Sequence, residues 1–490
     1  MGFFSFLKRD TAPDLPPLRL HNTLSGALEE FSPLSPREVK MYNCGPTPYD
    51  QMHIGNLVPA ILADTLRHTL NLWGYQVKQV MNITDFGHLT GDNENDPNNG
   101  DDKMVRGLKR DGLPFTMKGM RALAEKYAAI FFDDISQLGV NTSLVTYPRA
   151  SDYIPEQIAL IKTLEQKGYA YRISDGIYYD TAKFAGYGKL GHINLEGQKE
   201  GARVEEKEEK KHPQDFVLWK SSTTFGWPSP WGKGFPGWHI ECTAMIFKLL
   251  GRQIDIHTGG IEHIPIHHNN EIAQAEAATG KQYVKYWLHN AHITIENKKI
   301  SKSLGNTVYL HSITDRGISA RAFRYWYLTG HYRTQMNFTW EAIEGASQAL
   351  TRLTRAFLEA GTSTAAQDPA VALFKRDVCA ALANDLDTPR VIARTWELVK
   401  DQSISPAAKR SALLFVDKVL GLGLSDTRPS ASLTVVEETD LPEEVQSLTR
   451  EREDARKEKD FKKADELRGK IEAAGYDIKD TPEGARLTKK

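Results

Sequence analysis

His267 and Glu271 stand four residues apart where the stretch 254–277 turns from a β-branched apolar run into a segment rich in Ala, Glu and Gln. On a helix that spacing puts both side chains on one face, one turn apart. An imidazole and a carboxylate so placed make half of a zinc site. Alone, such a pair is more often a solvated polar helix end. Two of the three cysteines supply the missing half: Cys44 closes the first apolar run and Cys242 opens a helical one. Two thiolates, an imidazole and a carboxylate make a four-ligand zinc shell. The competing fate of such cysteines is burial as small core residues.

Two other patterns suit a nucleotide. His53-Ile54-Gly55-Asn56 falls on a turn between a strand and a helix. A helix start offers free N–H groups to phosphates, and glycine allows a close approach, which suits an ATP triphosphate. Lys299-Ile300-Ser301-Lys302-Ser303 carries two ammonium groups and two hydroxyls on a loop closed by Gly305. Such a loop can cover phosphates and neutralise charge that develops during phosphoryl transfer. Each pattern alone is short, and a basic loop is more often simply solvated.

The elements that must position these groups follow from periodicity. Residues 40–44 form a strand ended by Gly45-Pro46, 60–72 a helix and 76–84 a second strand. Strand, helix, strand opens a doubly wound parallel sheet, whose ligands bind beyond the C-terminal strand ends. Residues 44–56 and Thr84-Asp85 fall there. The run 92–102 is turn-rich and lacks calcium-loop spacing, so it reads as a solvated loop. Helices at 116–137 and 151–167, a hairpin at 169–179 and a charged run at 201–212 make roughly 105–215 an insertion between two halves of the sheet. Strand character returns at 215–219 and again at 254–257, 286–288 and 291–295. Beyond 312, helices are expected at 320–328, 340–360, 370–383, 388–400 and 407–420, then a linker and a charged helical region at 443–474 that includes Lys462, Lys463 and Arg468.

The expected class is therefore α/β. A Rossmann-like doubly wound parallel sheet with an inserted connective subdomain is followed by an all-α helical bundle and a small C-terminal domain. The length of 490 residues agrees with about three domains. Hydrophobic residues at 40% and charged residues at 26% fit an ordinary globular chain, and no apolar run reaches the length of a membrane span. The first residues are too briefly apolar for a signal peptide, and three cysteines fit a reducing cytoplasm rather than a disulfide scaffold. A net charge of −1 gives no global nucleic-acid footprint.

Taken together, HIGN at 53–56 and KISKS at 299–303 resemble the two signatures of class I aminoacyl-tRNA synthetases. CGPTPYDQMHIGN, PGWHIECTAM, HHNNE, NITD, DFVLWK, SPWGKG and DTPEG resemble the cysteinyl-tRNA synthetase family in particular, over nearly the whole chain. The resemblance implies a catalytic domain at 1–312, a stem-contact segment at 313–339, a helical anticodon-binding-type bundle at 340–428, and a linker with a small C-terminal domain at 429–490. It implies ATP-dependent activation of L-cysteine and transfer to tRNA(Cys). Zinc, one ion per chain, would fall on Cys44, Cys242, His267 and Glu271. His53, Gly55, Asn56, Glu262 and Lys302 would hold ATP, with Mg2+ accompanying it. His53, Asn56, Lys299 and Lys302 would serve catalysis. Trp238 and Thr84 would line the cysteine pocket. A cytoplasmic monomer with no membrane partner is expected. Two competing readings keep parts of this picture: a ligase joining activated cysteine to a small-molecule amine, and a catalytically silent tRNA-binding paralogue. The sequence departs from the family pattern at Ile300, at Phe235, where arginine is common, and at Glu262-His263-Ile264-Pro265-Ile266.

Overall fold

The computed structural model describes residues 15–86, 103–193, 209–301, 305–426, 441–458, 460–481 and 484–489. The expected loop at 92–102, Lys302 and the linker at 429–440 lie outside the described residues. The chain divides into two compact units, Met1–Gly423 and Leu424–Lys490.

The first unit is built on a five-stranded sheet. Its order is Val284–Asn290, Ile254–Gly260, Glu38–Asn43, Gln76–Met81 and Val145–Thr146, and every neighbouring pair is parallel. Ile254–Gly260 is buried along its whole length, as strands covered on both faces must be. The first strand in sequence, Glu38–Asn43, lies in the middle. From it the chain runs first to Gln76–Met81 and Val145–Thr146 on one side, then to Ile254–Gly260 and Val284–Asn290 on the other, so the crevice beside its C-terminal end is a topological switch point. The helix Ile54–Leu72 leaves that end and is buried on most sides, Asp64 and Arg67 included.

The insertion carries a four-stranded antiparallel sheet, Ala170–Ile173, Gly176–Tyr179, Phe216–Ser221 and Gly234–Pro236. The strand character at 215–219 thus belongs to this sheet. Close backbone approach holds it together: a Cβ on Gly176 would sit 2.2 Å from the Trp219 carbonyl oxygen. Val145–Thr146, from within the inserted range, pairs with Gln76–Met81 at the edge of the parallel sheet.

The helices beyond 312 start as their sequences dictate. Ser319, Thr339, Asp368, Asp387 and Ser405 each accept a backbone N–H from the first turn, and Pro369, Pro389 and Pro406 follow three of these caps. Arg324, fully buried on the helix Ala320–Leu328, ties the unit together. Its Nη2 donates to Asp64 Oδ2 at 2.6 Å, its Nε to the Leu420 carbonyl at 2.6 Å and its Nη1 to the Leu138 carbonyl at 3.3 Å. Asp385, with φ at 59°, accepts from His21 N, Tyr332 Oη and Arg333 Nε. An antiparallel pair, Arg19–Asn22 with Ala27–Glu30, flanks Val284–Asn290, where the Trp287 N–H donates to Asn22 Oδ1 at 3.0 Å.

The second unit holds the helices Glu443–Lys457 and Phe461–Ala473 and the hairpin Tyr476–Thr481 with Gly484–Lys489. Val445, Ile471, Tyr476, Ile478 and Leu487 form its core.

Candidate active site and metal centre

Three chain segments converge at the switch point. Cys44 directly follows the strand Glu38–Asn43, and its N–H donates to the Thr258 carbonyl on the neighbouring strand. Gly45 follows because nothing larger fits: a Cβ there would lie 1.8 Å from the Asn82 carbonyl oxygen. Cys242 sits in the first turns of the helix Trp238–Leu249 and is buried. After Gly260 the chain makes a short 3-10 turn, then a π-helical turn, Ile264–His268, before the helix Asn269–Thr279. A π turn widens the helix at a functional position, and here it carries His267 and His268 inward.

One ligand atom from each of Cys44, Cys242, His267 and Glu271 lies within 4.8 Å of all the others. His267 Nε2 is 3.0 Å from Glu271 Oε1, an oxygen that is buried and finds no well-aligned hydrogen bond. A donor set of two sulfurs, one imidazole nitrogen and one carboxylate oxygen fits a tetrahedral zinc ion. The electrostatics divide the four, holding Cys242 and Glu271 toward their ligating, ionised forms and Cys44 and His267 toward their protonated ones. The Cys242 thiol is pulled down to about 6 by its contact with Cys44, with His267 adding to the pull against burial. Cys44 moves the opposite way, raised by burial and then by Cys242. Burial would raise Glu271, but His257 and His267 outweigh it and hold the carboxyl at about 2. Burial would likewise lower His267, yet Cys242 and Glu271 lift it to about 10.

A second layer surrounds these four, and sequence reasoning missed it. His239 Nδ1 lies 3.0 Å from His267 Nδ1. His257 Nε2 and Tyr283 Oη each lie 3.1 Å from Glu271 Oε2. His268 Nε2 is 3.3 Å from Cys44 Sγ, and His268 Nδ1 is 2.7 Å from His289 Nε2. The available signal was the density of histidines between 257 and 268. It gave no means of telling which of them face inward.

The expected pocket residues border this centre. Trp238 is half-buried, and its ring lies 4.3 Å from that of His267 between centroids. Thr84 is buried and donates to Glu241 Oε2 at 3.1 Å. The Glu241 carboxyl is pushed well up, first by burial and then by Cys242. Glu262 is exposed, and its carboxylate folds back over Gly260, where a Cβ would meet Oε2 at 2.1 Å.

The two signature motifs meet as well. His53 precedes the helix Ile54–Leu72, and the Ile54 N–H donates to the Val308 carbonyl just beyond the lysine loop. A Cβ on Gly55 would lie 3.0 Å from Ile300 Cδ1. Asn56 is exposed in the first turn. Lys299 is exposed on the short strand Lys298–Lys299. Asn306 joins the ends of that loop, donating to the Lys299 carbonyl and accepting the Ser301 N–H. Phe235, at a position of departure, stacks on Phe86 with centroids 5.2 Å apart, so it serves an apolar cluster.

A parallel sheet with its ligand residues at the switch point and two motifs meeting over the first helix defines a class I aminoacyl-tRNA synthetase catalytic domain. Solved structures agree on the fold. Mycobacterium tuberculosis methionyl-tRNA synthetase bound by methionyl-adenylate superimposes with a TM-score of 0.55 at 14% identity, over 80% of this chain and 95% of that one. A family model described as tRNA synthetases class I (C) catalytic domain matches residues 30–348, and one described as cysteinyl-tRNA ligase anticodon binding domain matches 438–486. "Cysteine--tRNA ligase 1" of Burkholderia lata is 42% identical over 96% of this chain and 97% of its own length. "Cysteine--tRNA ligase" of Treponema denticola is 38% identical over 94% and 98%. The chain belongs to the cysteine–tRNA ligase family. No helix among the described residues is long and apolar enough to cross a membrane.

Proposed function

We propose that this chain activates L-cysteine with ATP to cysteinyl-adenylate and transfers the cysteinyl group to tRNA(Cys). The observation that carries the reading is the convergence of Cys44, Cys242, His267 and Glu271 at the sheet's switch point. A single zinc ion held there would take the substrate's thiolate as a further ligand, which serine's harder and far less acidic hydroxyl cannot match. A pocket working by size alone discriminates such isosteres by about a hundredfold, so with this site the chain needs no editing domain.

The protein's own groups do the rest. Trp238, packed on His267, walls the pocket, and Thr84 fixes the buried Glu241 side chain next to Cys242 in sequence. His53, Gly55 and Asn56 receive the ATP phosphates at the helix start, with Lys299 and Lys302 opposing the charge that develops at the α-phosphate. Glu262 reaches the ribose, and Mg2+ accompanies the nucleotide. For the tRNA, residues 313–339 contact the stem, and the helices of 340–428 and the unit matched at 438–486 serve the anticodon end. The chain acts as a cytoplasmic monomer.

Two measurements test the reading: zinc content, and cysteine-dependent exchange between ATP and pyrophosphate. Cys242→Ser is expected to depress exchange far more than ATP binding. Undiminished exchange would remove the metal from the account.

A further inference from the structure

The centre holds more donors than one zinc shell uses. Beside the four ligands proposed above, Cys44, His257, His268 and Glu271 form a second set whose ligand atoms also lie within 4.8 Å of one another. The sets share Cys44 and Glu271 and differ in the other two members. Glu271 faces both ways, with Oε1 toward His267 and Oε2 toward His257.

Geometry and the next layer of contacts both mark the second set as a site for a cation. Ligand atoms bound to one ion at about 2.0–2.3 Å lie roughly 2.8–3.7 Å apart across square-planar and tetrahedral shells. Cys44 Sγ to His268 Nε2 is 3.3 Å, and His257 Nε2 to Glu271 Oε2 is 3.1 Å. Metal-bound histidines characteristically engage their other ring nitrogen elsewhere. Both histidines here do so. His257 Nδ1 lies 3.3 Å from the Thr258 carbonyl, which can only accept, so this nitrogen carries the proton. His268 Nδ1 lies 2.7 Å from His289 Nε2, and His289 Nδ1 lies 2.8 Å from Thr23 Oγ1. His257 Nε2, left facing Glu271 Oε2, is then the nitrogen a cation would take. All four side chains but Cys44 are fully buried, so water cannot mediate cheaply.

We propose that Cys44, His257, His268 and Glu271 form a second cation position, overlapping the zinc position and occupied in its place. With one thiolate and two imidazoles against two thiolates and one imidazole, it suits an ion that favours nitrogen, such as Ni(II). The inference rests on the zinc reading for Cys44 and Glu271 as ligands. Which cation fills the centre then decides which ligand set is used.

The test is to strip the full-length chain with chelator, load Ni(II), and count sulfur and imidazole neighbours by X-ray absorption fine structure. In Cys242→Ser the expected shell is one sulfur and two imidazoles. Adding His268→Phe should reduce the imidazoles to one and weaken Ni(II) binding at least tenfold. Adding His267→Phe instead should leave two. One imidazole in Cys242→Ser, lost with His267→Phe and kept with His268→Phe, overturns the proposal. Circular dichroism checks that the variants fold, and Cys242→Ala repeats the comparison if Cys242→Ser does not. Failure of the unaltered chain to take up Zn(II) would strike the zinc reading itself, a result separable from the neighbour count in the variants.

Discussion

Replacing Arg324 by Met removes a charge that is fully buried and bonded to three separate segments, while keeping most of its volume. Its partners are Asp64 Oδ2 at 2.6 Å and the carbonyls of Leu420 and Leu138 at 2.6 and 3.3 Å. Removing one member of a buried ion pair costs about 3–5 kcal/mol, because the other charge is left uncompensated. Two carbonyls also lose a donor, at about 1–3 kcal/mol each where nothing replaces it. Against this, Arg67 still contacts Asp64. The net expectation is a loss of about 4 kcal/mol at pH 7. Burial pushes the Asp64 carboxyl up, but Arg324, His68 and Arg67 outweigh it and hold the group below its ordinary value. For an acid depressed in the folded state, the contribution is present above the unfolded value of about 3.9 and lost as pH falls through the folded one. The gap between Arg324→Met and the parent should therefore be full at pH 7 and narrow below about pH 4. Urea unfolding of the full chain, followed by tryptophan fluorescence at both pH values, measures it. Adding Asp64→Leu should recover much of the loss. A deficit under about 1 kcal/mol at pH 7, or one that persists unchanged at low pH, refutes the electrostatic argument.

Other outcomes follow from the same geometry. Gly45→Ala places a methyl 1.8 Å from the Asn82 carbonyl oxygen, so Cys44 must move; bound zinc and cysteine-dependent exchange should both fall, the latter about tenfold or more. Asp134 is pushed up to about 7 by burial and then by Asp133. An acid raised in the folded state keeps its full stability only below its unfolded value and loses it as pH rises through the folded one. Asp134→Asn should therefore raise the melting temperature at pH 8 and change it little near pH 3.5, and equal shifts at both would contradict the burial argument. Tyr283→Phe takes one hydroxyl from Glu271 Oε2; zinc affinity measured by chelator competition should drop roughly tenfold, with folding unchanged by circular dichroism.

Much of this architecture could be read from residue types. The run 40–44, the Gly-Pro turn and the helix after it announced a parallel sheet, because strand and helix periods differ plainly there. Amphipathic periodicity placed helix starts at 320, 340, 370, 388 and 407, and the helices begin at 320, 340, 369, 388 and 406. Cys44, Cys242, His267 and Glu271 stood out by chemistry although they are remote in sequence. Pairing across the sheet was less accessible. Nothing local tells that Phe216–Ser221 joins the antiparallel sheet, or that two residues, Val145–Thr146, complete the parallel one. The second layer was hidden for a related reason. His257 lies within a buried strand and Tyr283 beyond a helix end, and only the folded register brings both to one carboxylate oxygen.

The short antiparallel pair at 19–30 carries a practical lesson. The catalytic family match begins at residue 30, a tempting place to cut the chain for expression. Such a cut would discard Leu20, which is completely buried, and Asn22, whose amide caps the open side of Val284–Asn290. It would also take away the His21 backbone bonded to Asp385, a residue held in a left-handed conformation. The trimmed product would then expose a bare sheet edge while losing a brace on its helical half, and clumping in the test tube is the behaviour to expect of it.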